Sequence, residues 1–147
     1  MSNDHITYDD VIIFSPLYNE PVDPTLLPNY KKIIFSDYVL DKRLFEAYKN
    51  NDLHKFTYQC SQFLFEAYKN ESFNNFTYQT SQFNQPLTNS LNNCTSLTTL
   101  VFGYYFNQPL DNSLDNCTLL TYLTFGSHFN HPLSNSLNNC TSLTHIV

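Results

Sequence analysis

The stretch FNQPLTNSLNNCTSLTTLVFGYY, which spans residues 83–105, decides the fold because the chain repeats it. Residues 106–128 read FNQPLDNSLDNCTLLTYLTFGSH, and residues 129–147 read FNHPLSNSLNNCTSLTHIV. The copies begin 23 residues apart. A repeat of this size cannot bury its apolar face alone, so successive copies stack into a solenoid. We therefore expect residues 83–147 to form stacked coils.

A second repeat lies immediately upstream. Residues 44–63 and 64–83 both begin with LFEAYKN and agree at 14 of 20 positions. Both repeat types, and the amino-terminal part of the chain, share a triplet of a large apolar residue, a β-branched residue and an aromatic residue. We expect a single array over residues 1–147, with diverged coils in 1–43, two LFEAYKN coils in 44–82 and three FNxPL coils in 83–147, the last incomplete. The aromatic members of the shared triplet are Phe14, Phe35, Tyr58, Tyr78, Phe102 and Phe125.

The hydrophobic period changes within each repeat. Leu100 and Phe102 alternate with the β-branched Val101, which predicts a short strand. Before the strand, apolar residues recur at three- and four-residue spacing, which predicts a helical or 3-10 return. The predicted fold class is an α/β solenoid, a right-handed stack of about six coils, each with a short parallel β-strand and a helical or 3-10 return. The apolar residues of the first return are Leu87, Leu91, Cys94 and Leu97.

Polar residues and glycines also recur at fixed places. An Asn lies in the turn after several of the predicted strands, where its side chain can bond to backbone groups of its own and the neighbouring coil that would otherwise be buried unpaired. Gly103 and Gly126 follow the strand aromatic at equivalent positions, which indicates a turn with positive φ. The candidate ladder residues are Asn19, Asn84, Asn107 and Asn130.

These segments resemble a known family. The FNQPL and FNHPL segments, with TSLTTLVFG and LLTYLTFG before the next copy, are similar to FNIP repeats, a relative of the leucine-rich repeat found in social amoebae and in giant viruses that infect amoebae. Residues 83–147 carry the resemblance closely, and YNEPVDPTLLPNYKKIIFS at 18–36 is a diverged copy. The resemblance implies a leucine-rich-repeat-like binding array. Some members of the family join the repeats to an F-box, which the first 40 residues of this chain do not resemble.

The residue pattern contains no catalytic arrangement. His128, His131 and His145 stand at repeat positions that hold Tyr105, Gln108 and Tyr122 in the preceding copy, without cysteine or carboxylate at zinc-ligand spacing. We interpret them as repeat variation. No nucleophile, paired acid and base, or phosphate loop is present. We therefore expect no enzyme activity, no metal and no cofactor. The regularly spaced cysteines, which we expect to fill the core as free thiols, are Cys94, Cys117 and Cys140.

Charge and hydropathy restrict the classes of partner that we expect for this chain. The 147 residues have a formal charge of −6, and all seven bases lie between Lys31 and Lys69, so we expect no nucleic-acid partner. The first ten residues lack a basic and apolar leader pattern, and no apolar run approaches the roughly 20 residues of a membrane span. The expected location is the cytoplasm, that of the host cell if the protein is viral, with no membrane partner.

A stacked array offers one recognisable surface, the strand face turned away from the core. We expect this face to be exposed and to contact an unidentified protein partner, as the strand faces of solenoids commonly do. The predicted strip runs from basic to neutral and aromatic residues. Its members are Lys32, Ile34, Lys55, Thr57, Asn75, Thr77, Thr99, Val101, Tyr122, Thr124, His145 and Val147.

The two ends suggest further hypotheses. Asp9 replaces the apolar residue found five positions before the aromatic in later coils, which resembles a polar cap. At the other end the triplet stops at Ile146 and Val147, one residue short of the expected aromatic. Self-association through the edge of the C-terminal coil is one interpretation. A structural or self-assembling component, or a shortened copy of a longer F-box and FNIP adaptor, are the alternatives to an interaction module.

Overall fold

The computed structural model describes residues 5–37 and 80–147. These residues form a single six-stranded sheet and one 3-10 helix, Leu27–Asn29. Two parts of the prediction lie outside the described residues and stay predictions. They are the aromatic positions Tyr58 and Tyr78 and the division of residues 38–79 into coils. The strands are β1 (His5–Tyr8), β2 (Val11–Phe14), β3 (Lys32–Phe35), β4 (Thr99–Val101), β5 (Tyr122–Thr124) and β6 (His145–Ile146).

The sheet is a ladder of parallel strands with an antiparallel hairpin at its first edge. β1 and β2 are antiparallel, and Asp9 in the turn between them has a φ of 49°, which Asp tolerates better than most residues. From β2 onward every pair is parallel, in the order β2, β3, β4, β5, β6. The predicted parallel solenoid is therefore confirmed, and β1 covers the edge of β2 that would otherwise be open.

The number of coils differs from the prediction. β3 pairs directly with β4, with Ile33 opposite Leu100 and Ile34 opposite Val101. In the described sheet β3 and β4 are neighbours, so the predicted count of about six coils is not confirmed. The described ladder makes four turns between β2 and β6.

Ring stacking and the Asn column explain this direct pairing. The Phe83 ring lies 4.0 Å from the Phe35 ring, nearly parallel to it, and the Asn84 N–H donates to the Asn19 side-chain oxygen at 2.9 Å. The first contact uses the aromatic ring of the FNxP motif, and in the second the Asn19 side chain is the acceptor for the next coil. The Asn-x-Pro sequence is present in residues 84–86 and absent from the LFEAYKN copies.

The returns are turns rather than helices. Each return of the FNxPL repeats is held by N–H bonds to the carbonyl three residues earlier, such as Cys94 to Leu91 and Leu97 to Cys94. The one 3-10 helix in the described residues, Leu27–Asn29, belongs to the first coil. The expectation of helical returns, and of an α/β class, is thus not confirmed for the described residues. Asn, Ser and Thr dominate these segments, and their side chains compete with the helical backbone bonds.

The core lies on one side of the ladder. The return residues predicted to be apolar and inward are buried there, together with the strand residues Ile12, Ile33, Leu100 and Leu123. Two columns of aromatic rings run through this core at spacings of 4.9 to 6.1 Å between neighbouring coils. The strand-end column is Phe14, Phe35, Phe102 and Phe125, and the turn column is Tyr18, Phe83, Phe106 and Phe129.

The two glycines serve close packing and not a left-handed turn. Neither has a positive φ, so that prediction is wrong. A Cβ on Gly103 would lie 2.2 Å from the Cβ of Ser81, and a Cβ on Gly126 would lie 2.2 Å from the carbonyl oxygen of Gly103. Successive coils approach each other so closely at this turn that these two positions leave no space for a side chain.

Candidate functional site

The Asn column forms the predicted ladder of hydrogen bonds. The side-chain oxygen of Asn84 accepts the N–H of Asn107 at 2.8 Å, and that of Asn107 accepts the N–H of Asn130 at 2.8 Å. With the bond between Asn19 and Asn84, the ladder crosses three coil interfaces. The side-chain oxygens of Asn19, Asn84 and Asn107 therefore each satisfy a backbone donor of the next coil.

The residue after each Asn makes a second bond between coils. The side-chain amides of Gln85 and Gln108 donate to the carbonyls of Asn19 and Asn84 at 3.1 and 3.0 Å. His131 occupies the same place, with its Nε2 3.0 Å from the carbonyl oxygen of Asn107. Because a carbonyl only accepts, Nε2 must carry the proton. The polar residues of the FNQPL and FNHPL motifs are thus structural, and His131 substitutes for Gln as a donor.

The predicted partner strip is largely buried. Among its members in the described residues, Ile34, Thr99, Tyr122 and Thr124 are buried. The prediction that these four form an exposed binding face is therefore wrong. Lys32 and Val101 are half-buried, and His145 and Val147 are exposed. The remaining members, which lie outside the described residues, are Lys55, Thr57, Asn75 and Thr77.

The exposed surface lies instead on the turn that follows each strand. The residue just before each ring of the turn column points to solvent, and we name this row the turn ridge. After Leu17, the backbone N–H of each member bonds to a carbonyl of the preceding coil: Gln82 to Pro16, Tyr105 to Ser81 and His128 to Tyr104. The turn ridge consists of Leu17, Gln82, Tyr105 and His128, all exposed.

Aromatic side chains concentrate at one end of the turn ridge. The rings of Tyr104 and Tyr105 meet edge to face at 4.9 Å, and the His128 ring lies 4.6 and 4.8 Å from them. Tyr105 is 38% exposed, and Leu17 at the other end is 68% exposed. The three rings touch one another directly, so they present a surface and not a cage around a ligand.

A carboxylate lies directly beneath the ridge. One oxygen of Asp37 accepts the N–H of Ser81 at 2.7 Å and the N–H of Tyr104 at 3.0 Å. Burial raises the pKa of Asp37 above its ordinary value, and the two N–H bonds oppose that change. Because the Asp37 carboxylate accepts backbone N–H groups from two coils, it joins these coils at the turn, and we call it the clamp of the turn.

The cysteine column fills the core as predicted. Cys94, Cys117 and Cys140 are buried free thiols, and the sulfurs of Cys117 and Cys140 approach carbonyl oxygens of the preceding coil. Burial raises the pKa of Cys94 to about 11 and that of Cys117 to about 12. Thiolates are the reactive form, so these side chains are inert near neutral pH.

The described residues contain neither a cluster of metal ligands nor a membrane-spanning helix. Across 5–37 and 80–147, no three His, Cys, Asp or Glu side chains converge as metal ligands. Within the same ranges, no helix has the length and apolar character needed to cross a lipid bilayer.

Comparison with known families identifies the repeat. Residues 83–114 match the model of the family described as FNIP Repeat. Residues 83–114 carry the FNIP repeat. The match covers the first FNxPL copy and the start of the second, which contain the Asn and Gln bonds between coils described above. No curated protein and no solved structure gave a match.

Sequence reasoning missed the turn ridge although a signal was present. The residue before each FNxP or YNxP motif changes freely, from Leu17 to Gln82, Tyr105 and His128, while the aromatic residue after it is kept. A solvent-facing position has no packing partner that dictates its size. Variation directly before a constant aromatic column is therefore consistent with an exposed row.

Proposed function

We propose that this FNIP repeat chain is a non-catalytic protein-interaction module that contacts its partner through the turn ridge. The supporting observation is the exposed row Leu17, Gln82, Tyr105 and His128 on a backbone held by regular bonds between coils. Tyr is enriched at interface hot spots because it presents a large, rigid area with a polar tip. Rigid solenoid coils lose little conformational freedom when they bind.

The polar motif residues support a binding role over a catalytic one. Asn84, Asn107 and Gln108 use their side chains in bonds between coils, and the thiol of Cys117 is buried with a raised pKa. Side chains committed in this way do not serve as acid, base or nucleophile for a substrate. The exposed ridge carries contact groups instead.

Site-specific photocrosslinking tests the ridge. A benzophenone amino acid replaces Tyr105 in one version of the full chain and the exposed return residue Thr118 in a matched control. We expect position 105 to form adducts with another polypeptide in cell extract and position 118 to form none of these. Unlabelled chain should compete the adducts away, whereas the Tyr105→Ser, His128→Ser chain should not. Identical adducts at both positions, or equal competition by both competitors, would reject the ridge.

Edge-mediated self-association is the second candidate. Ile146 of β6 and the adjoining Val147 are each 52% exposed, and the outer edge of β6 has no strand beside it in the described ladder. An exposed edge of this kind can pair with a strand of a second copy. Sedimentation velocity over a concentration series tests this candidate, because a monomer at every concentration would eliminate it.

A further inference from the structure

The four residues that directly precede the members of the turn ridge differ in how their backbone is held. The N–H groups of Ser81 and Tyr104 both donate to one oxygen of Asp37, at 2.7 and 3.0 Å. Pro16 has no N–H, and that of Ser127 finds no acceptor within residues 5–37 and 80–147. The backbone beside the two middle members of the ridge is therefore held by bonds that the end members lack.

The bonds to Asp37 are of a strong type. In its ionised form a carboxylate oxygen has lone pairs for two donors, and its bonds to N–H groups are shorter and about twice as strong as those of a neutral acceptor. The same oxygen lies against the backbone of Gly103, where an added Cβ would come within 2.9 Å of it. The Asp37 carboxylate therefore occupies the space that a side chain at position 103 would fill.

The two peptide groups held by Asp37 make the next bonds toward the ridge. The carbonyl of Ser81 accepts the N–H of Tyr105, and the carbonyl of Tyr104 accepts the N–H of His128. Ser81 and Tyr104 are thus fixed on both sides, by Asp37 at the N–H and by the next coil at the carbonyl. Only one residue separates Asp37 from Tyr105 and from His128 in this series of bonds.

Ring contacts extend the same connection to the exposed aromatic end of the ridge. Tyr104, whose N–H is bonded to Asp37, packs its ring edge to face against that of Tyr105 and lies 4.6 Å from the ring of His128. A side chain held in one orientation loses less conformational freedom on binding than one that samples several. The position of the Tyr104 backbone therefore affects how the rings of Tyr105 and His128 meet a partner.

Asp37 has no counterpart in the other coils. Ser81 takes the place of Tyr104, because both offer a carbonyl to the ridge residue of the next coil. In the continuous coils this place comes two residues after the strand aromatic, whereas in the coil of β3 residues 37–80 intervene in sequence after Ser36. We call this coil the interrupted coil. Asp37 is thus an added residue and not a variant of a repeat position.

We propose that Asp37 is a positioning residue for the turn ridge. Its carboxylate fixes the backbone of Ser81 and Tyr104. The residues that follow them, Gln82 and Tyr105, are then presented to a partner in one orientation. This inference rests on the proposed function of the ridge as a contact surface. Asp37 needs no contact with the partner, because its effect on binding passes through the two peptide groups that it holds.

NMR spectroscopy of the full chain tests this role without a partner. Asp37→Ala removes the acceptor, so the amide protons of Ser81 and Tyr104 should exchange with solvent about tenfold faster, as expected for the loss of one hydrogen bond. Nuclear Overhauser contacts between the rings of Tyr105 and His128 should weaken. Asp37→Asn keeps an oxygen acceptor and should restore most of the protection and of the ring contacts.

Two NMR results would overturn the proposal. One is unchanged exchange and ring contacts in Asp37→Ala. The other is an equal loss of protection at the amides of Asn107 and Asn130, which bond to the Asn column, because Asp37 would then stabilise the whole array. If the alanine variant does not fold, Asp37→Glu keeps the charge, displaces the oxygens and should give the same local changes. Asp23→Ala, which removes a carboxylate bonded to Thr25, is the control and should leave the ridge signals unchanged.

The same variants test the effect on binding. In the photocrosslinking assay with the benzophenone amino acid at position 105, Asp37→Ala should lower the yield of adducts several-fold, and Asp37→Asn should recover it. Equal yields in the alanine variant and the parent chain would also overturn the proposal. A parent chain that forms no adducts would instead reject the proposed function of the ridge, whereas unchanged NMR signals reject the role of Asp37 alone.

Discussion

Two coils of the ladder reach the same packing from very different lengths of chain. In the continuous coil, Phe102 and Phe106 are four residues apart, and their rings lie 3.9 Å apart at 7°. In the interrupted coil, Phe35 and Phe83 are 48 residues apart, and their rings lie 4.0 Å apart at 11°. The closing bond of the interrupted coil, from Ser81 to Asp37, joins the chain on either side of the interruption.

This comparison shows that a coil is defined by its aromatic and Asn columns and not by the length of the sequence repeat. A coil exists where a strand-end aromatic, a turn aromatic and an Asn meet their counterparts in the next coil, whatever length of chain lies between them. The entropic cost of closing a loop grows only logarithmically with its length. A long segment between the two sides of a turn therefore costs little more free energy than a short one. The interrupted and continuous coils should then respond alike to equivalent mutations.

The largest expected effect is truncation of the turn aromatic in each coil. Phe83 and Phe106 are both fully buried, so Phe83→Ala and Phe106→Ala should each lower the free energy of unfolding by about 3 to 5 kcal/mol. Urea titration followed by circular dichroism measures both, with Phe→Leu as the milder pair if either alanine variant is unfolded. A loss at Phe83 far below that at Phe106 would show that the interrupted coil is not a true rung.

Alanine substitutions at the two glycines test the contact between Ser81 and Gly103 through smaller changes in stability. Gly103→Ala and Gly126→Ala should each cost about 1 to 3 kcal/mol through steric overlap. Adding Ser81→Gly should relieve Gly103→Ala, since the closest clash there is with the Ser81 side chain. It should leave Gly126→Ala unrelieved, because that clash is with the backbone of Gly103. Equal relief of both would contradict the direct contact across the interruption, and a double-mutant cycle in urea measures the coupling.

The ladder itself was predictable from the sequence. The triplet of apolar, β-branched and aromatic residues located β2 to β6, and the recurring Asn located the bonds between coils, because each of these residues acts through its immediate neighbours in the stack. The placement of the LFEAYKN copies was not settled by the triplet, which those copies also contain. Residues 44–82 contain no Asn-x-Pro, so the Asn column separates the two repeat types where the triplet does not.

The candidate surfaces were less predictable because exposure depends on what packs above a face. Alternation along a strand separates Ile33 from Ile34, but it gives the same pattern whether the second face meets water or a second layer. The inward orientation of the core residues was therefore correct, whereas the exposure assigned to Ile34 and Tyr122 was wrong. The antiparallel strand β1 was missed because its pairing depends on the hairpin at Asp9. The triplet was used to locate only the strands of the parallel ladder.

The Asn column allows a smaller test of the same comparison. Asn84→Ala in the interrupted coil removes the acceptor for the Asn107 N–H and for the Gln108 amide, and it should cost about 1 to 2 kcal/mol. Asn107→Ala in the continuous coil should cost a similar amount, because it removes the acceptor for Asn130. Asn130→Ala serves as the control and should cost less, since no later Asn of the described ladder donates to it. Thermal melts of the three variants provide the ranking, and an equal loss at Asn130 would contradict it.

The smallest expected effect concerns the clamp that closes the interrupted coil. Burial raises the pKa of Asp37 above 3.8, so the folded chain holds this proton more tightly than the unfolded chain. The stabilisation from that proton is complete below pH 3.8 and is lost as the pH rises through the raised value. Asp37→Asn keeps an oxygen for the N–H groups of Ser81 and Tyr104 and removes the charge. The variant should therefore gain stability relative to the parent chain as the pH rises through this window.

The exposed Asp23 provides a control of opposite sign for the clamp. Bonds from Thr25 lower the pKa of Asp23, so its contribution to stability is present above pH 3.8 and is lost as the pH falls. Relative to the parent chain, Asp23→Asn should lose stability as the pH rises through the lowered pKa, whereas Asp37→Asn should gain it. Urea titrations from pH 3 upward measure both differences. The same trend in the two variants would mean that the Asp37 carboxylate is not held in the buried turn between Ser81 and Tyr104, and the interrupted coil would then lack the bond that closes it.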